Sequence, residues 1–426
     1  MGQSPDHVAA AKSLLLEDFL PDHRKFQPFH DAAATCGAAT GAKMPENDAD
    51  KMKKIGIITM HRVLNYGSVL QAYALCRIVE QMGNHVELID YVFPNSANCA
   101  KQSWRTQTAR LARQVLTPLF LPWRTKRRKK FSRFLRDNLP GSARRYATPE
   151  ALLKHPPHYD VYLTGSDQVW SAHHVGADLT FLLPFAPAHA RKVSYAASFG
   201  AGELPETLRP CYAELLQRYQ AISVREPSGQ QKVAGLCGRQ AEIVLDPTLL
   251  LSGDEWRRKA TPESSMQREP YLLLYLLGYS FPPFPAINAL VRAAEEIYSK
   301  RLVIFGERPP YPEYREALVI ADAGPEEFLS WIQHSSAVIT TSFHGTIFSL
   351  LFERQFFSAV GGKAVNDHRI FELLSQLGLA QRAVALDVFA RGGMPLDPSG
   401  IDYAPVNERL RDLRRKSLTF LQKELA

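Results

Sequence analysis

The sequence predicts an α/β protein of two domains, each built on a largely parallel sheet. Three observations predict it. The chain has 426 residues, more than one hydrophobic core ordinarily serves. Short, unbroken apolar runs, at 55–60, 161–164 and 271–277 for example, are bounded by charged or turn residues, as strands covered on both faces are. Stretches with apolar residues at helical spacing lie between them, and repeated strand–helix alternation makes parallel sheets.

Residues 1–52 stand apart. An alanine-rich stretch at 32–43 is followed by an acidic polar one up to Lys51. Apart from a short amphipathic helix over 10–20, such a segment has little to pack with and reads as a flexible arm. The first domain is expected over 53–255. It opens with the strand at 55–60, a loop at 61–67, and a helix at 68–82 carrying Val69, Leu70, Ala72, Tyr73, Leu75, Cys76 and Val79 on its buried side. Gly83-Asn84 stops that helix, and 85–92 is the second strand, which completes a βαβ unit. Residues 104–139 read as helices with a heavy basic load. Further strands are expected at 193–196, 221–224 and 242–245.

The break at Asp246-Pro247 and the polar stretch 262–270 bracket the domain boundary. The second domain is expected over 265–400. Its strands fall at 271–277, 302–305, 337–341 and 356–359, and its helices at 286–297, 326–333 and 348–352. The tail 401–426 reads as a charged helix packed back on the first domain. Two such domains in tandem set the carboxyl ends of two sheets opposite each other. Ligands of open α/β sheets bind at those ends, so the cleft between the domains is the expected site.

Composition narrows the function classes. The net charge of +8 suits an anionic partner without choosing one. No nucleic-acid motif accompanies it, so no nucleic acid is expected. The five cysteines, Cys36, Cys76, Cys99, Cys211 and Cys237, are scattered and form no Cys-x-x-Cys pair. Neither disulfides nor zinc are expected, and a reducing cytoplasm is the simplest setting. No apolar run has the length of a membrane span, and Asp6, Glu17 and Asp18 interrupt any secretory signal. There is no Gly-x-Gly-x-x-Gly loop, no Gly-x-Ser-x-Gly elbow and no metal-ligand cluster; His173-His174 are adjacent rather than one turn apart. The basic run Arg124 to Lys130 reads first as a solvated helical face, and second as a contact for anionic membrane.

Candidate site residues cluster at strand ends. After the strand at 337–341 comes Ser342-Phe343-His344-Gly345-Thr346. Ser342 is a good N-cap. His344 and Gly345 fall in the first turn of the next helix, where free amides and the helix dipole favour an anion. A histidine beside that anion is placed for proton transfer, although it can equally serve only to bind the turn. In the first strand–helix loop, Asn65 and Gln71 offer amide side chains toward the cleft, Gly67 between them is a further substrate-binding candidate, and Ser68 can cap. Ser166, Asp167 and Gln168 follow another strand as possible sugar ligands, with Trp170 either a stacking face or a core residue. Arg225 can clamp a carboxylate or phosphate, or pair with Glu226 or Asp246.

Taken in order, these segments resemble the polysaccharide pyruvyl transferase family. The matching pieces are Lys54-Ile-Gly-Ile-Ile-Thr with Asn65-Tyr-Gly-Ser-Val-Leu-Gln-Ala, Gly165-Ser-Asp-Gln-Val-Trp, Ser194-Tyr-Ala-Ala-Ser-Phe-Gly, Ser223-Val-Arg-Glu, Leu245-Asp-Pro-Thr and Thr341-Ser-Phe-His-Gly-Thr. They span roughly 54–380. The resemblance implies a GT-B-like fold of two Rossmann-like domains facing across a cleft. It implies transfer of a pyruvyl group from phosphoenolpyruvate, as co-substrate and with no further cofactor, to sugar hydroxyls of an exopolysaccharide or cell-wall precursor. A sugar or lipid-linked oligosaccharide would be the acceptor. It matches His344 to the family's catalytic histidine and Arg225 to a donor-binding arginine. Family members carry Arg-Leu-His where this chain has Ser342-Phe343-His344, so a serine stands in place of a donor arginine. Two other readings remain open: a nucleotide-sugar glycosyltransferase on the same scaffold, and a non-catalytic component of a polysaccharide assembly complex.

Overall fold

The structure is a computed structural model that describes residues 52–93, 122–200, 202–262, 269–278, 281–298, 300–361, 369–392 and 396–426. The expected arm, its helix at 10–20, and the basic segment before residue 122 lie outside the described residues.

Two parallel sheets form. The first comprises β1 (Lys54–Ile58), β2 (His85–Tyr91), β3 (Gly141–Tyr146), β4 (Val161–Thr164), β5 (Arg191–Ala197), β6 (Ala221–Val224) and β7 (Glu242–Ile243), in the order β3-β2-β1-β4-β5-β6-β7. The second comprises β8 (Tyr271–Tyr275), β9 (Arg301–Phe305), β10 (Leu318–Ile320), β11 (Ala337–Thr340), β12 (Gln355–Val360) and β13 (Ala383–Ala385), in the order β10-β9-β8-β11-β12-β13. In each sheet the order reverses direction beside its first strand, the Rossmann pattern, and ligands gather at that switch point. The central strands are the ones the apolar runs predict, because they are covered on both faces. β3, β10 and β13 escape the sequence reading. β3 is a mostly exposed edge strand of sequence Gly-Ser-Ala-Arg-Arg-Tyr, and the other two have three residues each.

The helices that place the site are α1 (Tyr66–Gln81), α2 (Pro122–Asn138), α3 (Pro227–Cys237), α4 (Gly253–Lys259), α5 (Pro325–Gln333), α6 (Phe343–Leu351), α7 (Arg369–Gln376) and α8 (Tyr403–Leu425). Helix α1 starts two residues earlier than its apolar spacing suggests. Asn65, not Ser68, is the N-cap, accepting from Ser68 N at 3.3 Å. Helix α6 starts directly after Ser342, whose Oγ accepts from Gly345 N at 3.1 Å. Its first turn is the Phe343-His344-Gly345 segment.

A continuous apolar core runs through both domains. Tyr66, at the start of α1, is its hinge pin. Its ring stacks on Phe328 of α5 at 4.6 Å and 8°, and its hydroxyl donates to Ala323 O at 2.9 Å. Ion pairs Lys130–Glu327 and Arg124–Glu307, at 2.8 and 2.7 Å, tie α2 across to the second domain. Helix α8 returns to the first domain: Leu245 N donates to Ser417 Oγ, Arg414 Nε to Leu249 O, and Arg191 pairs with Glu424. Ordering these shared surfaces fixes how the two sets of strand ends meet.

Candidate active site

The site is built from both domains. Asp246 follows β7 and His344 opens α6, and the His344 Nε2 stands 3.5 Å from Asp246 Oδ2. Asp246 is completely enclosed. Oδ1 accepts from Thr248 N at 3.0 Å and Thr248 Oγ1 at 2.7 Å. Oδ2 accepts from Ser166 Oγ at 3.0 Å and Arg225 Nη1 at 2.8 Å. Burial pushes this carboxyl up, but His344, Arg225 and Thr248 together outweigh it and hold it well below the usual carboxylate range. Asp167 behaves the same way. Burial raises it, while Arg225, His344 and the hydrogen bond donated by Ser68 Oγ bring it below its ordinary value. Both therefore remain ionised at neutral pH.

Arg225 lies inside this cluster rather than at its edge. Besides Asp246, it faces Glu226 Oε2 at 3.6 Å and Asp167 Oδ1 at 4.0 Å, and its guanidinium covers the Phe343 ring at 4.5 Å. Its Nε and Nη2 are buried and make no hydrogen bond. Of the two roles open to Arg225, the ion pair with Asp246 is the one formed. One guanidinium among three carboxylates leaves no surplus positive charge on these residues.

Positive potential comes instead from two helix ends. The N-terminus of α1 abuts His344 so closely that a methyl on Gly67 would overlap His344 Nδ1 and Cγ. Glycine is required there by that approach. Thus His344 sits where the N-termini of α1 and α6 converge, and each dipole favours an anion between them. The guanidinium of Arg369 on α7 lies 5.8 Å from the Phe343 ring centre.

Other expected positions fare differently. Asn65 caps α1. Gln71 is fully buried, donating to Thr59 Oγ1 at 2.8 Å and Ser68 O at 2.9 Å. It braces the loop from beneath through Nε2, and its buried Oε1 makes no hydrogen bond. Gln168 Oε1 accepts from His174 Nε2 at 3.0 Å, and its backbone N donates to Asp167 Oδ1. Trp170 is a core residue whose indole N–H reaches Phe181 O. Gly345 serves packing rather than ligand approach: a side chain there would meet Thr340 Oγ1 at 2.5 Å and Tyr275 at 3.1 Å. Thr346 Oγ1 is engaged with Ser358 Oγ at 2.6 Å and lies below the site. Asp246, Ser68 and Phe343, which the sequence offers only as an ion-pair partner, a cap and a turn residue, join the site itself. The signal for Asp246 was present, since an aspartate ending a strand before Pro-Thr is aimed at the sheet's carboxyl edge. Among the described residues no cluster of histidine, cysteine and carboxylates could hold a metal ion.

The fold and this site define a GT-B-like α/β protein with a buried histidine–carboxylate pair at its domain junction. The chain belongs to the polysaccharide pyruvyl transferase family, whose sequence model matches residues 65–361, and it is accordingly a transferase. No curated protein sequence matches it. Solved structures similar to it include a glycosyltransferase from Rickettsia africae ESF-5, with 10% identity, TM-score 0.48, and coverage of 88% of this chain and 99% of that one. Another is the UDP-GlcNAc 2-epimerase of Methanocaldococcus jannaschii, with 12% identity, TM-score 0.46, and coverage of 84% and 99%. A third is the E. coli ADP-heptose lps heptosyltransferase II, with 11% identity, TM-score 0.36, and coverage of 85% and 99%. Among the described residues, no helix is long and apolar enough to cross a membrane.

Proposed function

We propose that the chain transfers the pyruvyl group of phosphoenolpyruvate to two hydroxyls of a sugar in a polysaccharide precursor, forming a pyruvate ketal. The observation that carries this reading is the placement of His344 between two helix N-termini and the ionised Asp246. The donor's phosphate and carboxylate are drawn to the paired helix ends, since Arg225 is already neutralised. On this reading the two helix ends supply the positive potential at a turn where Ser342 brings no charge.

In the reaction, His344 gives a proton to the donor methylene carbon, using the electron pair of the enol double bond. Positive charge develops at the adjoining carbon. One sugar hydroxyl adds there and loses its proton, the bond to phosphate breaks with its electron pair leaving on phosphate, and the second hydroxyl adds and loses its proton. The products are the cyclic ketal and inorganic phosphate. Asp246, 3.5 Å from Nε2, orients the ring and offsets its charge while it holds the proton.

Incubating the protein with phosphoenolpyruvate and a sugar acceptor pool should release phosphate, and His344→Asn should reduce the rate at least ~100-fold. Equal release by the variant would overturn the assignment. Stabilisation against heat by a nucleotide sugar and not by phosphoenolpyruvate would favour a glycosyltransferase instead. A lipid-linked acceptor would also explain the exposed Lys126, Arg128, Lys129 and Arg133 on α2, which can rest on anionic lipid at a cytoplasmic membrane face. Salt-sensitive sedimentation with phosphatidylglycerol vesicles, lost on charge reversal of these four, is the expected result.

A further inference from the structure

The proposed reaction needs a base as well as an acid, because each sugar hydroxyl loses a proton as it adds. Sheet topology brings a carboxylate to the place where one is needed. The strand order of the first sheet reverses between β1 and β4, and that of the second between β8 and β11. Ligands of such sheets enter the crevice at the reversal. His344 lies four residues past the end of β11, and Asp167 three residues past the end of β4. Each domain thus carries one titratable side chain to the same place in its own fold, and the charges of the two act on each other.

Of the three carboxylates around Arg225, Asp167 is the one open to a substrate. The side chain of Asp246 is 0% exposed and that of Glu226 2%, with both Glu226 oxygens enclosed, whereas that of Asp167 is 9% exposed. Asp246 also accepts from Ser166, Arg225 and both donors of Thr248, which fills the roughly four lone-pair sites of a carboxylate. Asp167 accepts from Ser68 Oγ at Oδ2 and from Gln168 N at Oδ1, and so keeps room for another donor. Ser68 follows Gly67, which abuts His344. The hydroxyl that holds Asp167 and the backbone that touches the acid are therefore neighbours in the first turn of α1.

The backbone is bent where it presents this carboxylate. Asp167 has a φ of +77°, and Ala196, next to its bridge partner Ala197, has +51°. Residues with a Cβ seldom adopt that region. Asp167 O accepts from Ser198 N at 3.0 Å, which holds the bend. Strain of this kind persists where the surrounding structure enforces it, and it collects at active sites.

We propose that Asp167 is the catalytic base, taking the proton of the acceptor hydroxyl while His344 gives one to the donor. The proposal rests on the pyruvyl-transfer reading. The O–H bond of the first hydroxyl breaks with its electron pair staying on oxygen, that oxygen bonds to the cationic donor carbon, and the proton goes to Asp167. Asp167 then passes it to the departing phosphate. The second hydroxyl adds and returns its proton to His344, so both side chains end as they began. An alcohol bonded to a carbon cation is strongly acidic, and an ionised carboxylate is base enough to deprotonate it.

Asp167→Gly removes the carboxylate, and glycine takes a φ of +77° without strain. It should lower phosphate release from phosphoenolpyruvate and a sugar acceptor pool at least ~100-fold, with circular dichroism unchanged. Calorimetry should show phosphoenolpyruvate bound no more weakly than by the wild type, since no positive charge is lost. Sodium formate, a carboxylate small enough for the vacated space, should raise the rate of this variant at least ~10-fold, and sodium chloride at the same concentration should not. Asp167→Asn keeps the volume and an acceptor for Ser68; it should be equally slow and gain nothing from formate. Near-wild-type phosphate release in either variant would overturn the proposal. So would a loss in the glycine variant that formate leaves untouched, which would reduce Asp167 to shaping its loop. A wild-type protein that releases no phosphate would overturn the transfer reaction, and this role with it, so the two failures read differently.

Discussion

Replacing Gly67 by alanine tests the site with a single methyl group. A methyl on Gly67 would overlap Nδ1 and Cγ of His344, and even Cε1 would stand only 2.7 Å away. Carbon atoms in van der Waals contact stand about 3.5–4.0 Å apart, so with Nδ1 2.0 Å from the added methyl the ring must retreat by ~1.5 Å. The opposite wall limits where it can go, because Asp246 lies 3.5 Å from Nε2 and is fixed by Thr248, Ser166 and Arg225. A displacement of ~1 Å in a reacting group costs about 100-fold in rate. Alanine otherwise favours helix over glycine by ~1 kcal/mol, so the helix itself is not weakened. The expected outcome is a ~100-fold fall in kcat/KM for phosphate release with circular dichroism unchanged. Gly235→Ala is the matched control. It lies inside α3, a side chain there meets nothing within 4 Å, and it should raise Tm slightly without touching activity. Full activity in the Gly67 variant would refute the placement of His344 as the acid.

Two further outcomes follow from the charges. Asp246→Asn keeps the shape but leaves Arg225 buried with a weakened partner; a broken buried pair costs about 3–5 kcal/mol, and the loss should fall at the low end because Glu226 and Asp167 still face the guanidinium. Urea unfolding measures it, and a neutral result would mean that the pair contributes nothing to stability. The second concerns acid. Burial raises Asp90, but His61, Arg62 and Arg145 outweigh it and hold it below the usual range, as Asp246 and Asp167 are held. A depressed folded pKa gives stability that is complete above the unfolded value of about 4 and is lost as pH falls below it. Tm should therefore drop below about pH 4, and Asp90→Asn should flatten that drop while lowering Tm at pH 7. An identical acid limb in the variant would show that Asp90 carries none of it.

The two α/β domains, the central strands and the turn at Ser342 to Gly345 can be read from local sequence. These are local facts: an apolar run between charges becomes a doubly covered strand, and a serine before a helical period becomes its cap. Local sequence also places His344 at a helix N-terminus. What surrounds that histidine depends on how distant segments pack. Gly67, Asp167, Asp246 and His344 lie far apart along the chain, and no local pattern says that they meet. Arg225 shows the limit most clearly. Its charge invites a donor anion, yet Asp246, brought beside it by β7, claims the guanidinium. Gln71 and Gly345, whose polarity and smallness suggested a ligand, are used to close the loop and to admit Tyr275. Residue type sets the chemistry available, but a buried ion pair or a close backbone approach depends on which strand ends come together, and that follows from the packing of two domains on one core.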